Sequence, residues 1–318
     1  MTSVRKFKLA GIQLGPIQRA TKKEDTVVRL DRLLNEAADK GASLAIFPEC
    51  ALTSFFPRWD LKLQEEIDSF FEKGDISKGI CKPLFKTAQS RRIGFVLGYA
   101  EITDDNHHYN TCILVDNRGK IIQKYRKTHL PGFDDPIKGP EFQQLEKRYF
   151  DYGTEGYVAA KSDPEWIDTT IGMLICNDRR WPEAWRCYAL QGMELCISGY
   201  NTPCRDSTYG MAENKTLRLY QSELATKGNA YMNCCFAVSV AKCGVEDGQQ
   251  LIGGSLIVAP DGTVIALAKT EDDEILLGDI DLDKVIYGRS KMFDFGRHRR
   301  PELYKRIVKQ KGIILPLT

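Results

Sequence analysis

Apolar residues along this chain follow two alternating rhythms, short runs with the period of a strand and longer stretches with the period of a helix. Residues 7–14 alternate and predict a first strand. Thr21-Lys22-Lys23-Glu24 fits a capping box, and Val27, Leu30, Leu33, Leu34, Ala37 and Ala38 then recur at helical spacing, with Gly41 placed to end the helix. Leu44-Ala45-Ile46-Phe47 is wholly apolar, as expected of a strand covered on both faces, and Pro48-Glu49 ends it. Residues 61–73 and 83–91 read as helices, separated by Gly74 and Gly79. Strands follow at 93–102, 110–115 and 120–126, the last two joined by the turn residues Asp116-Asn117-Arg118-Gly119.

Residues 131–156 are rich in Gly, Pro and charge and predict a long irregular covering loop. The apolar run 171–175 predicts a buried strand with Cys176 at its end, and Pro182 is suited to start a helix over 183–191. That helix N-terminus, lying near the thiol, is expected to favour thiolate. A strand at 195–198, a loop at Tyr200-Asn201-Thr202-Pro203, a helix over 213–228 and a strand at 235–241 come next. A hairpin (255–259 and 264–269, turning at Pro260-Asp261-Gly262) and a last strand at 275–280 complete the pattern. Strand–helix–strand units mixed with hairpins argue for one α/β domain with helices outside. The charged tail 289–318, with Phe293, Phe295 and Leu315, is either docked on a partner subunit or a solvated extension.

Composition narrows the class without naming a function. At 318 residues, with 42% hydrophobic and 28% charged positions, the chain reads as an ordinary globular protein with a substantial core. A net charge of +2 gives no reason to expect nucleic acid or an anionic membrane as partner. No apolar run approaches the roughly 20 residues needed to span a bilayer. Ten scattered cysteines include no C-x-x-C pair and are joined by only four histidines, so no metal site is expected. Residues 1–8 are too basic for a secretory signal, which makes a reducing cytoplasmic setting with free thiols the expectation. Cys234-Cys235 raises a thiol-based redox or metal protein as a rival, although vicinal cysteines in an apolar stretch are more often core.

Glu49, Lys127 and Cys176 share one placement, each directly after a strand-like run. Strand ends in an open α/β sheet converge on a crevice where ligands bind. Taken singly, Glu49 reads equally well as a cap and Lys127 as a solvated strand end. Together they form a chemical set. A thiol nucleophile needs a base to take its proton and later to activate water. A carboxylate raised in pKa by its surroundings supplies that base. An ammonium beside both stabilises the thiolate and then an oxyanion, with the backbone N–H after Cys176 as a second donor.

Phe47-Pro48-Glu49, Tyr125-Arg126-Lys127-Thr128-His129-Leu130 and Cys176-Asn177-Asp178-Arg179-Arg180-Trp181-Pro182-Glu183 resemble, in that order, the three motifs of the nitrilase superfamily of carbon–nitrogen hydrolases. The resemblance spans about residues 6 to 283 and implies an α/β fold of the αββα four-layer sandwich type. Residues 1–288 would be the hydrolase domain and 289–318 a C-terminal extension, with pairing across a helical face into a homodimer or homotetramer. The resemblance also implies Glu49 as base, Lys127 as oxyanion stabiliser and Cys176 as nucleophile. Glu146, in Leu145-Glu146-Lys147-Arg148-Tyr149-Phe150, matches a second glutamate that supports the lysine; without the resemblance it reads as a loop salt-bridge residue.

Within the superfamily, Thr53-Ser54-Phe55-Phe56-Pro57-Arg58-Trp59, residues 145–150, residues 177–181 and Gly199-Tyr200-Asn201-Thr202-Pro203 look like the N-carbamoyl-D-amino acid amidohydrolases. That likeness implies Asn177, Arg179, Arg180, Thr202 and His129 as substrate-binding residues. Two arginines after the nucleophile suit a carboxylate-bearing small molecule, Arg179 being the more informative because Arg180 has a structural reading. The chain departs from the branch at Gln144, where a histidine is usual, and in residues 213–228 and 233–235. The implied reaction is hydrolysis of an N-carbamoyl amino acid to amino acid, carbon dioxide and ammonia, with no cofactor. An aliphatic amidase or nitrilase on the same scaffold, or a catalytically inactive binding subunit, is the alternative.

Overall fold

The computed structural model describes residues 5–204 and 214–316. The first half runs β1 (Lys6–Gln13), α1 (Lys23–Asp39), β2 (Leu44–Ile46), α2 (Gln64–Asp68), β3 (Glu72–Lys73), α3 (Lys82–Arg91), β4 (Gly94–Ile102), β5 (His108–Val115) and β6 (Ile121–Arg126). The second begins with α4 (Glu146–Tyr149), β7 (Ala160–Lys161), β8 (Thr170–Ile175), α5 (Pro182–Ala189), β9 (Leu195–Tyr200) and α6 (Lys215–Asn233). It ends with β10 (Phe236–Ala241), β11 (Cys243–Glu246), β12 (Gln249–Ile252), β13 (Leu256–Val258), β14 (Val264–Leu267), β15 (Glu274–Asp281), α7 (Asp283–Ser290), α8 (Phe295–His298) and α9 (Lys305–Lys309).

Two sheets repeat one plan. The first is ordered β15-β1-β2-β4-β5-β6, the second β14-β13-β10-β9-β8-β7. Each has three parallel central strands, β1-β2-β4 and β8-β9-β10, flanked by antiparallel partners. Alternation along the strands sorts side chains into layers. Leu44, Ile46, Val96 and Leu114 of the first sheet meet Ile171, Met173, Ile197 and Val238 of the second. The intervening positions Ala45, Phe95, Leu97 and Ile113 turn outward beneath α1 and α3. On the far side Leu174, Cys196, Ala237 and Val258 pack against residues of α5 and α6. The result is the expected αββα sandwich, and both faces of each central sheet are covered, which is why its strands read as continuous apolar runs.

Local expectations fail where tertiary packing overrides them. The capping box at Thr21 does not form, since α1 starts after Lys22 with no side-chain cap. The helix expected over 61–73 shrinks to α2, because Phe70 and Phe71 turn inward onto Phe56 and, from Phe71, onto Phe150. The hairpin β11–β12 turns at Asp247 and Gly248, both with positive φ, a signal the hydrophobic pattern alone does not contain. All ten cysteines lie among the described residues and none is in a disulfide; Cys234 and Cys235 are core, as their apolar setting predicts.

Candidate active site

Glu49 leaves β2 through a gap cut by two glycines, one from each sheet. A Cβ on Gly98 of β4 would stand 2.5 Å from the Pro48 carbonyl oxygen and 2.8 Å from Glu49 Cα. A Cβ on Gly199 of β9 would stand 2.5 Å from the Glu49 nitrogen. With both absent, the Glu49 carboxylate reaches a wholly buried position and collects four donors. Lys127 Nζ (2.7 Å) and Asn110 Nδ2 (2.8 Å) donate to Oε1, and the Asn201 N–H (2.9 Å) and Nδ2 (3.3 Å) donate to Oε2.

Lys127 stands one residue beyond β6, where its N–H continues the pairing with β5 by donating to the Asn110 carbonyl at 2.9 Å. Its ammonium is clamped between Glu49 and Glu146 Oε2, the latter at 2.5 Å, with all three side chains no more than 1% exposed. Burial works against the charge on Lys127, but Glu146 and Glu49, together with Cys176, outweigh it and hold its pKa well above the ordinary value. Glu146 comes from α4, inside the segment expected to be a covering loop. Burial, reinforced by Glu49, pushes its carboxyl up to about 7 against the pull of Lys127. Gln144 Nε2 donates to its other oxygen at 2.9 Å.

Cys176 opens a 3-10 turn (Cys176–Arg180) directly after β8, with φ of +49°, a conformation that non-glycine residues rarely adopt. Asp178 holds this turn from below. Its Oδ2 accepts from the Ile175 N–H (3.1 Å) and the Tyr125 hydroxyl (2.8 Å); its Oδ1 lies 2.8 Å from His129 Nδ1 and accepts from the His129 N–H (2.9 Å). Glu49, Lys127, Arg179 and Glu146 all act electrostatically on the thiol. Burial and Glu49 push the Cys176 pKa up, and Lys127 and Arg179 only partly offset them. The thiolate-favouring helix N-terminus expected from the sequence is therefore not what governs this sulfur: α5 begins six residues on, at Pro182.

The two arginines, adjacent in sequence, are placed differently. Arg179, the residue singled out as the carboxylate contact, is fully buried. Its Nη1 donates to the Cys176 carbonyl at 2.6 Å, its Nη2 to Thr202 Oγ1 (3.3 Å) and Ser222 Oγ (3.2 Å), and its face lies 3.9 Å from the Tyr200 ring. Arg179 thus braces the turn that carries Cys176. Arg180 is the exposed one, donating from Nη1 to Asn177 Oδ1 at 3.2 Å. The surrounding protein and the nearby Arg179 and Arg218 charges lower its pKa to about 10, so it stays a cation at neutral pH. Asn177 is half-buried beside it and donates from Nδ2 to the His129 carbonyl at 3.3 Å. Thr202 is buried with its hydroxyl turned to Arg179, and His129 is stacked on Trp181 with centroids 5.0 Å apart. His129 and Thr202 both support the turn, the His129 side chain remaining partly exposed.

Sequence reasoning missed Asn110, Asp178 and Ser222, and treated Gln144 only as a departure from pattern. Asp178 carries the one readable signal, an acidic residue three positions after the strand end, where its side chain can cap the turn. A cavity of about 510 Å³ lies elsewhere, between α5, α6 and the C-terminal segment, and is lined in part by Arg186, Met232, Phe295 and Tyr304.

Residues 8–289 match the carbon-nitrogen hydrolase family, and the chain belongs to that family, within the nitrilase superfamily. It is 28% identical over 319 residues to an N-carbamoylputrescine amidase of Oryza sativa subsp. japonica, covering 96% of both proteins. It is 29% identical over 300 residues to the omega-amidase NIT2 of Homo sapiens, covering 94% of this chain and 96% of that one. Its fold is similar to the crystal structure of a carbon-nitrogen hydrolase from Helicobacter pylori G27, with a TM-score of 0.80, 24% identity and coverage of 96% and 99%. Saccharomyces cerevisiae Nit3, a member of branch 10 of the nitrilase superfamily, is similar at a TM-score of 0.73, 20% identity and coverage of 93% and 96%. The reaction class is hydrolysis of carbon–nitrogen bonds other than peptide bonds.

Proposed function

We propose that the chain hydrolyses an N-carbamoyl amino acid, with Cys176 as nucleophile, Glu49 as base and Lys127 as oxyanion stabiliser. The observation that carries the substrate class is Arg180, an exposed guanidinium four residues from the thiol and hydrogen-bonded only through one arm to Asn177 among its described contacts. A carboxylate is the group that such a fork recognises best. The carbamoyl half of the reading draws support from a relative named N-carbamoylputrescine amidase.

At rest the sulfur is a thiol, so its proton has to leave as it attacks. Glu49 is the acceptor, giving up its longest hydrogen bond, the 3.3 Å contact from Asn201 Nδ2, to take it. Attack on the carbamoyl carbon places negative charge on its oxygen, stabilised by Lys127 Nζ and the Asn177 N–H. The carbon–nitrogen bond to the amino acid then breaks, and Glu49 returns the proton to the leaving amine. Water, deprotonated by Glu49, releases the carbamoyl group from sulfur as carbamic acid, which decomposes to carbon dioxide and ammonia. No step calls on a metal or organic cofactor.

The proposal extends to a cytoplasmic homo-oligomer. Leu217, Tyr220 and Leu224 form an exposed apolar stripe on α6, which suits a subunit contact, and among the described residues no helix is long and apolar enough to cross a membrane. An aliphatic amidase shares every catalytic group. Ammonia and amino acid release over a panel of D- and L-carbamoyl amino acids, uncharged amides and nitriles separates the readings. Turnover of carbamoyl amino acids above all others supports the proposal, and preference for uncharged amides or nitriles contradicts it.

A further inference from the structure

A second buried ionic cluster lies outside the catalytic set. Glu246, on β11, is wholly buried and accepts from the Phe55 N–H (Oε1, 2.7 Å) and the Ile17 N–H (Oε2, 3.1 Å). Lys242, equally buried, pairs with Oε2 at 2.9 Å and donates to the Thr53 carbonyl at 2.8 Å. Arg58 donates from Nη1 to the Glu246 carbonyl at 3.2 Å, with Nη2 at 3.5 Å from Oε1. Three charges taken out of water are costly to bury, and replacing such clusters by apolar side chains is often neutral or stabilising, so a contribution to stability does not by itself account for this one.

What the cluster does hold is the segment 53–58, and that segment is the template for residues 143–145. The Gln143 N–H donates to the Arg58 carbonyl at 2.7 Å and the Leu145 N–H to the Pro57 carbonyl at 2.8 Å. Between these two bonds sits Gln144, whose side chain fixes Glu146, and Glu146 fixes Lys127. We infer that Glu246, with Lys242 and Arg58, is a positioning group for the active site, acting on Lys127 through the 57–58 carbonyls and Glu146.

The test reads the site without requiring a known substrate. The rate of Cys176 alkylation by iodoacetamide, measured against pH on the full-length protein and followed by mass spectrometry of the Cys176 peptide, reports the thiol's surroundings. Glu146 is one of the charges that hold this thiol up, beside Glu49 and against Lys127 and Arg179. Glu146→Gln removes that charge and also loosens Lys127, whose opposite pull on the thiol is the larger, and is expected to displace the alkylation midpoint. Glu246→Gln is expected to move it in the same direction, and to add no further shift in the Glu146→Gln background. A midpoint that stays in place, or moves opposite to that of Glu146→Gln, while the melting temperature falls overturns the inference, as does an equal shift in both backgrounds. Should Glu246→Gln fail to fold, Arg58→Lys, which keeps the cation and loses the fork, decides by the same two readings.

Discussion

Gln144 donates to one oxygen of Glu146 while Lys127 holds the other, so the residue that departs from the carbamoylase pattern fixes the second glutamate. Gln144→Leu strips a buried carboxylate of a donor, a loss worth roughly 1–3 kcal/mol. Expressed on the transition state, that is a kcat fall of about 10- to 100-fold with KM little changed. Gln144→His keeps a donor and is expected to retain most of the rate. Steady-state kinetics of the two variants check this, and an unchanged kcat in Gln144→Leu contradicts it.

The Glu146 carboxyl, pushed up to about 7, gives stability a pH dependence of definite sign. Its folded pKa lies above the ordinary carboxylate value of about 4.3, so the folded protein binds the proton more tightly than the unfolded chain. This contribution is full below that ordinary value and is lost as pH rises through about 7. Melting temperatures between pH 4 and 8.5 are expected to decline over this window, with a shallower slope in Glu146→Gln. Equal slopes in the two proteins contradict the assignment.

Gly98 and Gly199 are required by the path of Glu49. A methyl group at either would overlap main-chain atoms at about the 2.5 Å separations observed, which only a shift of the Glu49 backbone relieves. Misplacement of a catalytic group by about 1 Å costs on the order of 100-fold in rate. Gly199→Ala is thus expected to lose most of kcat while circular dichroism shows the sheets intact. Retention of the full rate would show that the passage is wider than its contacts indicate.

Arg179 and Arg180, adjacent in sequence, are expected to fail differently. Arg179→Met leaves the Cys176 carbonyl and the Thr202 and Ser222 hydroxyls without a shared buried donor, and each orphaned group costs roughly 1–3 kcal/mol. A lowered melting temperature is the expected result. Arg180→Ala should leave stability nearly unchanged and raise KM for carboxylate-bearing substrates, with little effect on uncharged amides. The reverse assignment of effects would return the carboxylate contact to Arg179.

The αββα sandwich was legible because strands buried on both faces carry unbroken apolar runs, and the ends of three such runs carry Glu49, Lys127 and Cys176. Glu146 was legible only through the resemblance, since nothing in an irregular segment fixes which way a glutamate points. That Arg179 is buried and Arg180 exposed was not legible. They lie on a 3-10 turn of five residues, too short for any hydrophobic period to tell the buried side from the open one. Asn110, Gly98 and Gly199 matter through contacts between elements distant in the chain, which no local pattern encodes. Asp247-Gly248 is the opposite case, a hairpin signal that the sequence does carry, in its turn residues and not in its hydrophobic pattern.

The central claim is that Cys176 forms the covalent intermediate with Glu49 and Lys127 beside it. The direct measurement is intact-protein and peptide mass spectrometry of enzyme quenched during turnover, in the native protein and in Cys176→Ala. One acyl or carbamoyl group on the Cys176 peptide, with no adduct and no turnover in Cys176→Ala, is the expected result. Undiminished turnover in Cys176→Ala, or an adduct on any other residue, would contradict it.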